Sequence, residues 1–330
     1  MIKKIGIPRA LSYYQFYPLY KTFFEELGAE VVVSDATSRK ILDQGVKICV
    51  DEACLPVKLF HGHVMYLKDK VDYLFIPRLT SISENEYICP KFGGLPDMVR
   101  NTIDGLPEII DVEINLRKRS KNIYKSAFEI GGIFTNNKKK IRAALNKAMK
   151  IYRDYCTHMQ EGALASDILD KKFAVITKQE KDMLNIVLIG HAYNIYDKFI
   201  NMDTVNKLRK ENVNIITIDM IDDDVINANA EELHKSMFWY FGRKAVGGVM
   251  DIIKREDIDG IIYMMAFGCG VDSFICDMVQ RRVRSAGNIP FITITLDEHS
   301  GEAGMDTRLE AFIDMIKWRK KDESYIPAHG

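Results

Sequence analysis

No two cysteines in this chain form a Cys-x-x-Cys pair, although there are six of them. Structural zinc sites lean on such close pairs, so that reading is the weaker rival for any ligating set here. Nucleotide loops are missing too. There is no G-x-x-x-x-G-K-[S/T] loop and no G-x-G-x-x-G behind a strand. The Gly268-Cys269-Gly270 segment has no third glycine in register. Nothing in the sequence therefore requires a nucleotide.

Net charge is also absent: 46 Lys and Arg balance 46 Asp and Glu. That balance argues against nucleic acid or an anionic membrane as the main partner. The basic runs Arg117-Lys118-Arg119 and Lys138-Lys139-Lys140 read as solvated faces. No apolar stretch approaches the ~18 residues of a membrane span. The first residues, 1–8, show no long apolar segment and no small-residue cleavage site. The expectation is a cytoplasmic protein, whose cysteines in a reducing compartment stay free of structural disulfides.

The chain has 330 residues, 47% of them hydrophobic, which suits two domains with a core each. In the first half, residues 2–7 read as a strand. A helix entered at Pro18 and closed at Gly28 follows, then a strand over 29–34. A helix after Pro56, a strand over 71–77, a helix after Pro96 and a strand over 108–114 complete this half. The second half repeats the order. It has a strand over 183–190, a turn at 191–196 and a helix over 198–210. Then come a strand over 214–220, a mostly helical stretch over 231–254 and a strand over 259–267. A helix over 272–284, a strand over 290–296 and a helix over 305–320 end it.

Strands alternating with such helices imply parallel sheets joined by right-handed crossovers. The expected fold is α/β: two Rossmann-like domains related by internal duplication, plus a helical connector. The boundaries are 1–115, 116–165 and 166–330, with the linker to the second domain near 162–182.

Ligands of open α/β sheets sit beyond the carboxyl ends of the strands. Cys89 and Cys269 follow equivalent strands in the two halves. Cys54, just ahead of Pro56, precedes a helix start, where the dipole and free N–H groups favour a thiolate. Cys269 precedes a helix with Asp272 and Ser273 as N-cap candidates. Soft thiolates brought together from separate strand ends suggest a metal or an iron–sulfur cluster between the domains. Cys49 is either a fourth ligand or the end of a strand. Cys276 reads as core packing, and Cys156 lies on the helical stripe Ile141, Leu145, Ala148, Tyr152, Tyr155, Met159.

The segment Leu296-Asp-Glu-His-Ser-Gly-Glu-Ala-Gly304 follows a strand at the same sheet edge as Cys269. Glu298, His299 and Glu302 could shuttle protons there, or cap a helix N-terminus. His191, in the turn after Gly190, is placed to touch a substrate. His61 and His63 are read as structural, with Gly62 between them marking close helix packing. Arg9 and Arg78 each follow a strand and could anchor an anion.

These motifs resemble the 2-hydroxyacyl-CoA dehydratase superfamily, and more closely its activase-related branch. The resemblance rests on Gly6-Ile-Pro-Arg-Ala-Leu11, Val50-Asp-Glu-Ala-Cys-Leu-Pro-Val-Lys58, Gly62-His63 and Glu86-Tyr-Ile-Cys-Pro-Lys91. It also rests on Phe267-Gly-Cys-Gly270 with Asp272-Ser273, and on the Leu296–Gly304 segment. It implies an iron–sulfur cluster held by Cys54, Cys89 and Cys269. The [4Fe-4S] type comes first, with a double-cubane cluster as the alternative if Cys49 or Cys276 adds ligands. It further implies a low-potential electron supplied by a separate ATP-hydrolysing iron–sulfur activator, and an oxygen-sensitive system. A homodimer or a related second subunit and an acyl-CoA substrate follow from it as well.

Three functional readings remain open at this stage. One is a reductase or dehydratase that delivers single electrons to a small substrate. Another is a non-catalytic scaffold that carries a cluster or electron. The third is a cluster-free protein whose two domains close on a ligand.

Overall fold

Strand β1 (Lys4–Ile7) is buried along most of its length and lies inside the first sheet. Helix α1 (Tyr13–Leu27), β2 (Glu30–Val33), α2 (Arg39–Ile48), α3 (Leu55–Leu67) and β3 (Tyr73–Phe75) follow. Then come β4 (Arg78–Ser81), α4 (Pro90–Thr102), β5 (Glu108–Ile110) and β6 (Glu113–Asn115). Next come α5 (Ile123–Gly132), α6 (Lys138–Gln160) and α7 (Ala165–Leu169). The second half runs β7 (Leu184–Gly190), α8 (Ala192–Tyr196), α9 (Thr204–Lys210), β8 (Val213–Thr217), α10 (Asp223–Glu231) and α11 (Tyr240–Ile252). It ends with β9 (Gly260–Ala266), α12 (Gly270–Ala286), β10 (Phe291–Leu296) and α13 (Glu302–Glu323). This computed structural model describes residues 2–170, 183–233, 235–287 and 289–323. Residues 171–182, most of the expected linker, lie outside them.

The two main sheets are four-stranded, and every pair in them is parallel. Their orders are β2-β1-β3-β5 and β10-β9-β7-β8. Counted within each half these are the same order, second-first-third-fourth, as an internal duplication requires. In such a sheet the first strand has its successor on one side and the third strand on the other. The crevice between the first and third strands is the topological switch point where ligands bind. A small parallel pair, β4 with β6, extends the first half.

Several elements differ from the sequence reading, each for a local reason. Helix α1 begins at Tyr13, so Pro18 lies inside it. Proline has no N–H to give the carbonyl four residues back, which leaves Tyr14 O without its helical partner. The hydroxyl of Tyr155, on α6, donates to Tyr14 O at 2.6 Å and satisfies it. The helix expected over 198–210 shrinks to α9, because Met202 and Asp203 adopt positive φ (52° and 58°), which a right-handed helix excludes. The helical reading of 231–254 breaks between α10 and α11. There the chain is drawn out to pair Trp239 with Tyr87 in an isolated parallel bridge. Helix α2 has only a modest sequence signal, the Ser38 side chain that accepts from Ile41 N. It packs backbone to backbone on α3. A β-carbon on Gly62 would stand 2.0 Å from Ile41 O, and one on Gly45 1.9 Å from Lys58 O.

Contacts between the halves are both apolar and polar. One continuous core runs from Ile5 and Phe24 through Ala148 and Tyr196 to Ile313. Tyr14 and Tyr196 meet with ring centroids 6.2 Å apart. Among the described residues, no helix is long and apolar enough to cross a membrane.

Candidate site at the helix N-termini between the domains

Cys54, Cys89 and Cys269 are each the N-cap residue of a helix: α3, α4 and α12. In each case the cysteine carbonyl accepts the first helical bonds, from Val57 N, Phe92 N and Ser273 N respectively. None of the three side chains caps its helix. An N-cap is usually Ser, Thr, Asp or Asn, whose oxygen satisfies a free N–H. Thiols at all three positions are poor caps and good soft ligands. Asp272 and Ser273, the caps expected from sequence, lie inside α12, where Ser273 Oγ donates back to Cys269 O at 2.9 Å.

The three cysteines line one cavity of about 110 Å³. Two contacts hold its halves in place. The turn before Cys269 passes over Cys54, so that a β-carbon on Gly268 would meet Cys54 Cα at 3.5 Å and its Cβ at 3.8 Å. The loop before Cys89 is bound to the second half by Tyr87 N to Phe238 O (3.0 Å) and Tyr240 N to Tyr87 O (2.9 Å). Beside that bridge, the buried Glu86 carboxylate pairs with the Arg243 guanidinium of α11.

Burial acts on the charge state of two of these thiols, Cys89 and Cys269. It pushes Cys89 up, and it pushes Cys269 up to about 12, with the Asp272 carboxylate and the other two thiols adding to the effect. At Cys269 a helix-dipole preference for a free thiolate is therefore overridden by desolvation. A bound cation would reverse this, since thiols lose their protons when they coordinate.

Cys49 is buried at the C-terminal end of α2, with Sγ 3.9 Å from His61 Nδ1. It is not among the residues lining the cysteine cavity. Cys276 is buried in the second half's core, 3.4 Å from Thr293 Oγ1, and Cys156 lies on α6. His191 lines the cavity just after β7. Its ring stacks on Phe241 at 3.7 Å and on Tyr193 at 4.9 Å. Burial lowers its pKa to about 3, so the imidazole is neutral.

Glu298 and His299 are not brought to this cavity. Glu298 pairs with the buried Lys58 ammonium of α3 at 2.5 Å, which holds its carboxyl below the usual range although burial opposes this. It lines a second hollow with Leu55, Leu59 and Ser300, on the other side of the first turns of α3. His299 is exposed in the Asp297–Ser300 turn. The expected anion anchors are engaged elsewhere: Arg9 with Asp170, and Arg78 with Asp97 and Asp111. His63 is fully buried between Ser34 Oγ (2.8 Å) and Thr37 Oγ1 (3.0 Å), a structural position as read.

The residue that sequence reasoning read only as a cap is Asp272. It is fully buried, and one carboxylate oxygen accepts from Tyr263 OH at 2.6 Å. The other oxygen has no hydrogen-bond partner among the described residues. Burial raises its pKa to about 7, with the Tyr263 bond opposing. The available signal was an acid three residues after Cys269, which is also where an ordinary helix places a first-turn acid.

A paired α/β sheet protein with a thiol-lined crevice between its halves is the class this geometry defines. The sequence matches the family described as the CoA enzyme activase uncharacterised domain over residues 4–221. It matches the 2-hydroxyglutaryl-CoA dehydratase D-component over residues 143–316. Each match covers more than half of the chain, which belongs to the 2-hydroxyacyl-CoA dehydratase and activase-related superfamily. No curated protein matches it.

Proposed function

We propose that the protein is an iron–sulfur member of this superfamily, working with low-potential electrons from an ATP-hydrolysing activator on a small substrate, an acyl-CoA thioester first among the candidates. Cys54, Cys89 and Cys269 would hold the cluster. The observation that carries this reading is that three N-cap thiols from both halves open onto one cavity, none of them used to cap its helix. A donor set of three sulfurs suits a [4Fe-4S] cluster. When bound, that group would supply one-electron chemistry and an iron with no protein ligand.

The chain's own residues do the rest. Tyr193, Trp239 and Phe241 wall the cavity and exclude water. His191, neutral and held between two rings, lines that cavity and can offer a ring nitrogen to a bound group. Glu298 joins the two halves through Lys58. The Tyr87–Trp239 bridge and the Glu86–Arg243 pair position Cys89 against the second half.

The same three-thiol site supports a second reading, an electron carrier with no substrate of its own. Both readings are tested by mixing anaerobically reconstituted protein with a reductase partner and ATP. Reduction of the protein followed by conversion of an acyl-CoA supports the enzyme; reduction with onward transfer to an acceptor, but no conversion, supports the carrier. Protein that takes up no iron and sulfide under any condition contradicts both.

A further inference from the structure

The strand order places the ends of β7 and β9 side by side at the switch point of the second sheet. His191 follows β7, Cys269 follows β9, and Asp272 lies one turn into α12. The donor atoms of these three side chains all lie within 4.8 Å of one another. That spacing is the important quantity. Ligands on one tetrahedral ion, at roughly 2.0–2.3 Å from it, stand under about 4 Å apart. Cysteines on different corners of a cubane stand farther apart. The trio therefore fits a single cation, with small side-chain movement.

The support around the trio is also that of a metal site. Metal-ligating groups are commonly fixed by outer partners. Tyr263 OH holds Asp272 at 2.6 Å, leaving the second carboxylate oxygen, buried and without a partner, free to ligate. Phe241 and Tyr193 sandwich the His191 ring. A sulfur, an imidazole nitrogen and a carboxylate oxygen suit Zn²⁺ or a similar divalent ion, with a fourth position open to water.

We infer that Cys269, His191 and Asp272 form a mononuclear divalent-cation site in the second domain, separate from the three-thiol site and sharing only Cys269 with it. Its ligand is Zn²⁺ or a cation of like chemistry, bound as Cys269 gives up its thiol proton to solvent. Because both sites need the Cys269 sulfur, one chain can fill only one of them. The inference rests on the trio alone and not on the cluster reading.

The test uses the full chain, purified without a cluster, with Co²⁺ as the spectroscopic probe. The double variant Cys54→Ala/Cys89→Ala removes the three-thiol set but leaves the trio. It is expected to bind about one Co²⁺ per chain with a thiolate-to-cobalt charge-transfer band and tetrahedral ligand-field bands. Adding His191→Ala or Cys269→Ala should abolish that spectrum. Asp272→Asn, which keeps the partner of Tyr263, should weaken binding about tenfold or more. Circular dichroism of each variant establishes that it is folded. Loss of the band in folded Cys54→Ala/Cys89→Ala protein overturns the inference, because the ion then needs the three-thiol set. Survival of an unchanged band in His191→Ala protein overturns it as well. Neither outcome bears on whether wild-type protein assembles a cluster, which iron and sulfide content reports separately.

Discussion

Gly268 lies against Cys54: a β-carbon at Gly268 would be 3.5 Å from Cys54 Cα, with φ at +77°. This contact joins the turn that presents Cys269 to the turn that presents Cys54, across the two halves of the chain. Space is sufficient for a methyl group, but the backbone conformation is not one that L-residues favour. Gly268→Ala is expected to lower stability by about 1–2 kcal/mol through the left-handed φ alone. It should also weaken iron retention, because relief of that strain moves Cys269 relative to Cys54. A urea melt and an iron determination on the same preparation check both effects.

The Glu86–Arg243 pair fixes the Cys89 loop to α11, with side-chain exposures of 8% and 16%. Removing one member leaves a buried charge alone, which costs on the order of 3 kcal/mol or more. Arg243→Met should therefore destabilise the protein strongly. Adding Glu86→Gln to it should recover a good part of that loss, since the stranded carboxylate is gone. A double-mutant cycle in urea measures the coupling, and additive effects would contradict the pairing.

Glu298 and His299 are neighbours in sequence with different situations. Lys58, at 5% side-chain exposure, has Glu298 as its 2.5 Å partner, whereas His299 is exposed. Glu298→Gln strands the Lys58 ammonium and should cost about 3 kcal/mol, while His299→Ala should stay within about 0.5 kcal/mol. Thermal melts at fixed pH separate the two. Similar losses in both variants would show that the pair does not carry the interdomain contact.

His63 makes stability depend on pH. Burial, with the Arg9 charge adding to it and Asp35 opposing, lowers its pKa from 6.5 to about 3. Below pH 6.5 the unfolded chain takes up a proton on this imidazole and the folded chain does not. Stability therefore falls as pH drops from about 6.5 towards 3, by up to about 1.4 kcal/mol per pH unit from this one group, and the effect levels off below that. Burial raises the pKa of nearby Asp197, which bonds Thr37, so that group acts in the opposite sense near and above the ordinary carboxylate range. His63→Gln should flatten the slope of stability between pH 6.5 and 5. An unchanged slope would show that other groups carry it.

The repeat was legible because strand and helix alternation is a local pattern. Alternation and right-handed crossovers do not fix the strand order, which the structure supplies and which the two sheets share. The helix starts at Cys54 and Cys269 were legible from local pattern too, since Pro56 and the glycines around Cys269 punctuate them. Cys89, by contrast, was read in a loop before a helix after Pro96, and α4 in fact starts at Pro90. What failed depended on tertiary partners. Trp239 leaves a helical stretch because Tyr87 pairs with it, and Pro18 is tolerated inside α1 because Tyr155 satisfies the carbonyl it frees. Glu298 read as a proton carrier because Lys58, 240 residues away in sequence, could not be placed beside it. Asp272 was read only as a cap because an acid in a first helical turn is ordinary until its burial is known.

The central claim is that Cys54, Cys89 and Cys269 act as one ligand set. Its most direct test is the iron and acid-labile sulfide content of anaerobically reconstituted wild-type, Cys54→Ala, Cys89→Ala, Cys269→Ala and Cys156→Ala proteins, each shown to be folded by circular dichroism. The prediction is about four iron and four sulfide per chain in the wild type and in Cys156→Ala, and a large loss in each of the other three. Wild-type content in all three of those variants would contradict the account.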